Sequence, residues 1–208
     1  MDEGTVVDLG CGSGILLRAL SGAGYATVGI DPSPAMLELA RAAAPGAHLI
    51  RAPAEEAEFP PCDAVTAIGE ILCYVPARAT TEAGLVRLFR RIARALRPGG
   101  VLVFDALVAD RGAPLCYRNW RQGEDWAVLS DVDEDETRAR LTRRITIFRR
   151  VNEEWRRSQE THVLRVFERK VLEQALRQAG LTCRVSSSFG LMRLPERRLC
   201  FRARRRAG

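Results

Sequence analysis

Short apolar runs alternate with stretches of helical periodicity along most of the chain. The apolar runs lie at residues 6–9, 26–30, 47–51, 62–68, 101–104, 181–186 and 199–203. Apolar residues at helical spacing follow residue 14, begin again at Pro34, and recur over 80–97 and 168–179. Strands that alternate with helices in this way predict an α/β fold.

Residues 107–166 interrupt this alternation. Ile145 and Ile147 share one face at a period of two residues, and the pattern predicts two strands, over 137–150 and 155–166. The stretch before them has no clear period, and we expect it to be irregular. We therefore predict an antiparallel lid after the fifth strand. The predicted domain boundaries are 1–106 with 167–208 for the main domain and 107–166 for the inserted lid.

A glycine-rich turn connects the first strand to the first helix. Gly10, Gly12 and Gly14 are spaced by single residues, and glycine suits a tight turn that a ligand approaches closely. The second strand ends in Asp31, 17 residues after Gly14, where a carboxylate can accept both hydroxyls of a ribose. An ordinary strand-to-helix turn, with Asp31 as a helix cap, is the alternative.

Two segments carry a family resemblance. The sequence VVDLGCGSG followed by GIDPSPAML, together with LRPGGVLVF at residues 96–104, closely resembles the class I S-adenosylmethionine-dependent methyltransferases. The resemblance is good over about residues 4–106 and loose over 167–206. It implies a doubly wound, mostly parallel seven-stranded sheet, the Rossmann-like methyltransferase fold, with an antiparallel last strand.

The same resemblance implies the cofactor and the residues around it. S-adenosyl-L-methionine would lie with its methionine part beside Gly10, Gly12 and Gly14 and with its ribose on Asp31. Pro53 stands where the family commonly has an acid for the adenine, so either the Ala54 backbone or Glu55 takes that role, or Glu55 is a solvated helix start. The remaining cofactor candidates are Asp8, Cys11, Pro32, Met36, Ile68 and Gly69.

Candidates for the catalytic residues follow the fourth strand and lie in the lid. In the family that strand ends beside the transferred methyl group, which makes Glu70 and Tyr74 candidates; a surface glutamate and a packed tyrosine are the alternatives. His162 shares a face of the second lid strand with Glu160 and Leu164. It is a candidate general base, because an imidazole titrates near neutral pH. Alternatively it only pins the lid by a hydrogen bond, or it lies on the solvent face of the lid.

Three aromatic residues of the insertion are candidates for substrate contact. Tyr117, Trp120 and Trp126 precede the two predicted lid strands. They would either grip a substrate or seal a small core within the lid.

Charge and cysteine usage restrict the possible partners. The net charge is +6, but residues 137–208 hold 20 Arg or Lys against 6 Asp or Glu, and residues 1–136 hold 12 against 20. Such a basic region attracts a polyanion or is a solvated arginine surface. The six cysteines form no C-x-x-C pair, so we expect neither a metal nor a disulfide framework, and a cytoplasmic location. No apolar run approaches the roughly 20 residues that span a bilayer.

Three functions fit the sequence. We favour a methyltransferase that modifies nitrogen or oxygen of a small molecule, as a monomer or homodimer, without a specific nucleic-acid or membrane partner. An RNA methyltransferase is one alternative, but the fourth strand lacks an Asn/Asp-Pro-Pro-aromatic motif. A non-catalytic methyltransferase-like partner subunit is the other, but its expected mark, a damaged glycine turn, is absent.

Overall fold

The computed structural model describes residues 4–74, 81–109, 112–135, 137 and 139–206. Its first part consists of β1 (Thr5–Leu9), α1 (Ile15–Gly22), β2 (Ala26–Asp31), α2 (Pro34–Ala43), β3 (His48–Arg51), β4 (Cys62–Ala67), α3 (Glu82–Ala95) and β5 (Leu96–Leu107). A single 3₁₀ turn, Ile71–Cys73, follows β4. The predicted start of the third helix, Thr80, lies outside the described residues. Within those residues, no helix is both long and apolar enough to cross a membrane.

The second part of the chain adds a separate sheet and then completes the first one. Its elements are β6 (Cys116–Gln122), β7 (Trp126–Glu134), β8 (Arg140–Val151), β9 (Glu154–Arg165), α4 (Arg169–Gln178), β10 (Leu181–Ser186), β11 (Ser188–Phe189), β12 (Met192–Arg193) and β13 (Arg198–Arg205). We call β6–β9 the lid sheet.

The main sheet has seven strands in the order β10-β13-β5-β4-β1-β2-β3. The pairs from β3 through β5 are parallel, and β13 runs antiparallel to both β5 and β10. This confirms the predicted fold, including the antiparallel last strand. The carboxyl ends of β1, β2 and β4 therefore lie together at one edge, where ligands of open α/β sheets bind.

Aromatic packing forms the centre of the core. Phe104 of β5 stacks on Phe201 of β13, with ring centroids 4.9 Å apart, and Phe89 of α3 packs against Phe104 with centroids 5.5 Å apart. All three rings are fully buried. Burying each ring contributes about 1.5–3 kcal/mol, so these contacts fix α3 against the sheet.

The lid sheet has four antiparallel strands, not two, in the order β6-β7-β8-β9. The stretch that we expected to be irregular forms β6 and much of β7, so that expectation was wrong. Every residue of β6 is exposed, so the strand has no apolar face that would produce a period of two. Its pairing is set by hydrogen bonds to β7, which a pattern of burial does not reveal.

A buried ion pair joins the lid sheet to the main sheet. Arg197, directly before β13, donates from both terminal nitrogens to the two carboxylate oxygens of Glu134 at the end of β7, each at 2.5 Å. The guanidinium also donates to the Val108 carbonyl, and Glu134 accepts from the Leu115 backbone N–H at 2.8 Å. A buried charge pair needs such additional hydrogen bonds to be stable, and this one has them from both sides.

Candidate active site

Two of the predicted glycines are required by close approach of other elements. Gly10 has a φ of 73°, and a Cβ there would lie 2.5 Å from the Ile71 side chain. Gly14 has a φ of 80°, and its Cβ would lie 2.8 Å from the Cα of Ala40 in α2. A larger residue at either position is both strained and obstructed, so the turn stays tight against its neighbours.

Asp31 is held in place by the backbone of the turns around it. Its two carboxylate oxygens accept one N–H each, from Gly12 at 3.0 Å and from Ser33 at 2.9 Å. The residue is 8% exposed. Since each carboxylate oxygen has two lone-pair sites, one site on each oxygen is left for a ligand. Asp31 can therefore accept two neighbouring hydroxyls, as the sequence predicts.

A cavity of about 480 Å³ opens beside this carboxylate. That volume is within the range of sites for small molecules and cofactors. Its lining residues are Leu9, Gly10, Ile30, Asp31, Pro32, Ala52, Pro53, Ala54, Glu55, Ile71 and Tyr74. The wall is mostly apolar with two acids, Asp31 and Glu55. This combination suits an adenosine, whose flat base would lie between apolar side chains and whose ribose would bind an acid.

The predicted cofactor residues divide into two groups. Five of them line the cavity: Gly10, Asp31, Pro32, Ala54 and Glu55. Seven do not: Asp8, Cys11, Gly12, Gly14, Met36, Ile68 and Gly69. The lining adds Leu9, Ile30, Ala52, Pro53 and Ile71, which the sequence did not single out as ligands. Leu9 is the last residue of β1, before Gly10, and Ile30 directly precedes Asp31 at the end of β2. Their positions beside two predicted site residues could have identified them.

Cys11 and Met36 face away from the cavity. The Cys11 side chain is buried with Leu17, Leu37 and Ala40 between the sheet and the first two helices. Burial raises the pKa of its thiol to about 12, with a further contribution from the nearby Asp31 and Asp8 carboxylates. Met36 is 42% exposed on α2. Any contact of Cys11 with a ligand would therefore be through its backbone.

Asp8 is a second buried carboxylate at this strand end. It is 4% exposed and accepts a hydrogen bond from the Thr66 hydroxyl at 2.7 Å. Burial raises its pKa from 3.8 to about 6; the Thr66 hydrogen bond opposes this shift and the charge of Asp31 adds to it. Asp8 does not line the cavity itself, but its carboxylate interacts electrostatically with Asp31, which does.

Tyr74 connects the cavity to the lid sheet. Its ring lines the cavity, and its hydroxyl lies 3.5 Å from Nδ1 of His162. The two rings are edge to face, with centroids 5.5 Å apart. Nε2 of His162 lies 3.2 Å from a carboxylate oxygen of Glu160. The structure thus brings together Tyr74 and His162, which the sequence named separately.

Glu70 contacts the neighbouring strand of the lid sheet. It is 5% exposed and accepts a hydrogen bond from the Arg143 guanidinium at 3.2 Å. Arg143 is directly opposite His162 in the pairing of β8 with β9. All three catalytic candidates therefore converge on the same part of the lid sheet. Burial raises the pKa of the Tyr74 hydroxyl, which keeps it protonated near neutral pH.

The aromatic candidates lie on opposite faces of the lid sheet. Tyr117 is paired with Val132, which in turn is opposite Arg143, so Tyr117 shares the face of Arg143 and His162. Trp126 shares that face, by the period of two along β7. Trp120 is on the other face and is 65% exposed. The structure thus separates Trp120 from the other site candidates.

The chain is an α/β protein with a cavity at the carboxyl ends of its first strands, and the lining of this cavity suits a nucleoside. Residues 6–100 match the methyltransferase domain family. The chain has the fold of the class I S-adenosylmethionine-dependent methyltransferases. Its cofactor is S-adenosylmethionine, and the cavity beside Asp31 fits its adenosine.

Comparison with known proteins supports the fold over nearly the whole chain. A Clostridium acetobutylicum S-adenosylmethionine-dependent methyltransferase structure aligns with a TM-score of 0.81 and 17% identity, covering 97% of this chain and 84% of the other. CalS10 of Micromonospora echinaspora, an amino pentose methyltransferase, aligns with a TM-score of 0.79 and 22% identity, covering 98% and 84%.

The sequence matches of highest identity to curated proteins cover about half of the chain. A ubiquinone biosynthesis O-methyltransferase of Methylobacterium sp. (strain 4-46) is 35% identical over 112 residues, 50% of this chain. The match spans only 41% of that relative's own length.

Proposed function

We propose that this protein transfers the methyl group of S-adenosylmethionine to nitrogen or oxygen of a small molecule. The acceptor would bind between the cofactor cavity and the lid sheet, beside Tyr74 and His162. The observation that carries the proposal is the 3.5 Å approach of the Tyr74 hydroxyl to His162, at the wall that the cavity shares with the lid sheet.

Positioning is the main contribution that the chain makes to such a reaction. S-adenosylmethionine supplies a methyl group on a positively charged sulfur, which an acceptor atom attacks in line. Holding two reactants in the right geometry is worth roughly 7–11 kcal/mol in favourable cases. Here the glycine turn and Asp31 would hold the cofactor, and Tyr74 with the lid sheet would hold the acceptor.

The hydrogen bonds of His162 provide a route for a proton. If Nε2–H donates to Glu160, Nδ1 is the acceptor for the Tyr74 hydroxyl. An acceptor molecule that gives its proton to the Tyr74 oxygen would then cause Tyr74 to pass its own proton to His162. Glu160 would stabilise the resulting imidazolium, and Tyr74 would end neutral, as the raised pKa of its hydroxyl favours.

The names of two similar proteins support a small molecule as the methyl acceptor. CalS10 is an amino pentose methyltransferase and the Methylobacterium relative is an O-methyltransferase of ubiquinone biosynthesis. The lid face beside the site carries both charged and apolar side chains, namely Arg143, His162, Glu160, Ile145 and Ile147. Such a face suits a polar ring with an amine or hydroxyl.

A turnover screen tests the proposal. Purified protein is incubated with S-adenosylmethionine and pools of amino sugars, phenols and quinols, and RNA, and formation of S-adenosylhomocysteine is measured. We expect turnover with a small-molecule pool and none above background with RNA. Turnover with RNA alone would contradict the proposal and support the RNA methyltransferase alternative.

Replacement of His162 tests the proton route. His162→Asn keeps hydrogen bonding but removes basicity, and general-base catalysis is typically worth about 10²–10⁴-fold. We expect a loss of transfer rate in this range in single-turnover experiments, together with an altered pH profile. The matched control is His48→Asn, an exposed histidine on β3. A His162→Asn rate within about threefold of wild type, with an unchanged pH profile, would exclude the proton route. Positioning would then be the only contribution of the chain to the reaction.

A further inference from the structure

A buried acid, Asp105, lies at the end of an apolar run in β5. It is fully buried, and its two carboxylate oxygens accept the backbone N–H groups of Gly69 at 2.7 Å and of Glu70 at 3.1 Å. The Arg198 guanidinium of β13 forms an ion pair with the same carboxylate. Asp105 thus ties the turn after β4 to a strand on the far side of β5.

The turn that Asp105 holds has an unfavourable backbone conformation. Gly69 has a φ of 100° and Glu70 a φ of 62°, both in the left-handed region. A non-glycine residue there costs about 1–3 kcal/mol and persists only when its surroundings enforce it. Two hydrogen bonds to one carboxylate orient both peptide groups, and charge-assisted bonds of this kind are stronger than neutral ones.

Three parts of the candidate site depend on the direction in which this turn leaves β4. Ile71 and Tyr74 follow it and line the cofactor cavity. The Glu70 carboxylate extends from it to Arg143 of the lid sheet. A small rotation of the Gly69 and Glu70 peptides would therefore move the cavity wall, Tyr74 and a lid contact together.

Asp105 and Arg198 do not line the cofactor cavity themselves. Arg198 is on the opposite side of Asp105 from the turn, and its side chain is 22% exposed. Its guanidinium neutralises a carboxylate that would otherwise be a buried, unpaired charge. Any effect of Arg198 on methyl transfer would therefore act through Asp105 and the turn.

We propose that Asp105, with Arg198 behind it, is a positioning residue for methyl transfer that sets the Gly69–Glu70 turn and thereby the placement of Tyr74 and the lid. This inference rests on the proposed function for its kinetic consequence. Its structural part, that the carboxylate fixes the two peptide groups, is independent of the acceptor.

The test uses Asp105→Asn and Arg198→Gln in the full chain. An asparagine side chain has a single oxygen, so one of the two N–H bonds is lost. We expect the amide proton resonances of Gly69 and Glu70 to move in both variants, and more in Asp105→Asn. Affinity for S-adenosylhomocysteine, measured by calorimetry, should fall by less than the transfer rate does, because only Ile71 and Tyr74 of the cavity wall depend on the turn.

Transfer rate at saturating S-adenosylmethionine provides the kinetic measurement, with the acceptor pool that wild type methylates. We expect a loss of at least about tenfold for Asp105→Asn and a smaller loss for Arg198→Gln. The control is Asp63→Asn at the opposite end of β4, where Asp63 also accepts a backbone N–H, from Thr5, and pairs with Arg97. That variant should lose stability without loss of rate.

Several outcomes would overturn the inference. One is an Asp105→Asn rate within about threefold of wild type; another is an equal loss in Asp63→Asn. If Asp105→Asn does not fold, Arg198→Gln tests the inference in its place. Amide resonances of Gly69 and Glu70 that do not move in Arg198→Gln would then contradict the inference. If wild type methylates no acceptor, the proposed function fails, whereas the amide resonances still decide whether Asp105 sets the turn.

Discussion

The cofactor cavity and the proposed acceptor side are built in different ways. By acceptor side we mean the lid sheet together with the Gly69–Glu70 turn, Tyr74 and the Asp105–Arg198 pair. Around the cofactor cavity, Asp31 is fixed by Ser33, two residues away, and by Gly12, 19 residues away. On the acceptor side, the contacts join residues 63 to 93 positions apart: Glu134 with Arg197, Glu70 with Arg143, Tyr74 with His162, and Asp105 with Arg198.

The difference also concerns the type of group. The cofactor side relies on backbone N–H groups and glycine turns, which come with the fold. The acceptor side relies on charged side chains held in pairs, and removing one member leaves the other without its partner. Substitutions on the acceptor side should therefore have larger effects on stability than their distance from the core indicates.

The largest effect on stability is expected from breaking the buried ion pair between Arg197 and Glu134, which anchors the lid sheet. Arg197→Met would remove the Arg197 counter-charge from the buried Glu134 carboxylate, and breaking such a pair typically costs about 3–5 kcal/mol. Urea unfolding measures the loss. Arg118→Gln, which removes an exposed pair with Asp131, is the control and should change stability by less than about 1 kcal/mol. Equal losses of stability in the two variants would contradict the proposed difference between the two regions.

The second test concerns a carboxylate on the cofactor side. The pKa of Asp8 is about 6 in the folded protein against 3.8 for the free group, so the folded state binds more protons between these values. Stability should therefore fall as pH rises from about 4 to about 6, by about 3 kcal/mol from this group. Asp8→Asn lacks this titrating group. Its free energy of unfolding, measured with urea, should therefore increase relative to that of wild type as pH rises from about 4 to about 6. Parallel pH curves for the two proteins would contradict the prediction.

The third test is the affinity for the cofactor product. Asp31→Ala removes a charged acceptor for ligand hydroxyls, a loss of about 1.5–3 kcal/mol, or roughly 10–150-fold in Kd. Calorimetry with S-adenosylhomocysteine measures it. Glu38→Ala, which removes an exposed acid from α2, should bind like wild type. Equal affinity of wild type and Asp31→Ala would exclude Asp31 as the ribose ligand.

The smallest expected effect separates the two faces of the lid sheet. Trp126→Ser removes an aromatic side chain from the face that carries His162, and we expect the acceptor KM to rise by about fivefold, or roughly 1 kcal/mol. Trp120→Ser changes the opposite face and should leave KM within about twofold and stability within about 0.5 kcal/mol. A larger KM effect at Trp120 would mean that the acceptor uses the outer face.

Local motifs allowed part of the cofactor cavity to be predicted, since five of the twelve residues named as cofactor contacts line it. Gly10 and Asp31 follow directly from strand ends, and the seven-stranded topology follows from the family that these segments resemble. The apolar lining was missed because Leu9 and Ile30 serve equally well as core residues. Their role depends on what lies opposite, in this case Ile71 and Tyr74.

The acceptor side could be predicted only in part. Glu70, Tyr74 and His162 were identified singly, but Arg143, Arg197 and Arg198 are three among many arginines of a basic region. Nothing local distinguishes a buried arginine from a solvated one. Asp105 could have been identified from the sequence, because an acid directly after the apolar run 101–104 is unusual in a buried strand and requires partners.

The dipeptide Arg197-Arg198 has a consequence for engineering acceptor preference. Neighbouring side chains reach different elements, because Arg197 has a φ of 62° and departs from regular strand geometry. One holds the lid sheet through Glu134, and the other holds the Gly69–Glu70 turn through Asp105. A chimaera that exchanges only residues 107–166 would replace Glu134 and keep its arginine. The transplantable unit thus includes residues 197 and 198, which come more than 30 positions after the lid ends.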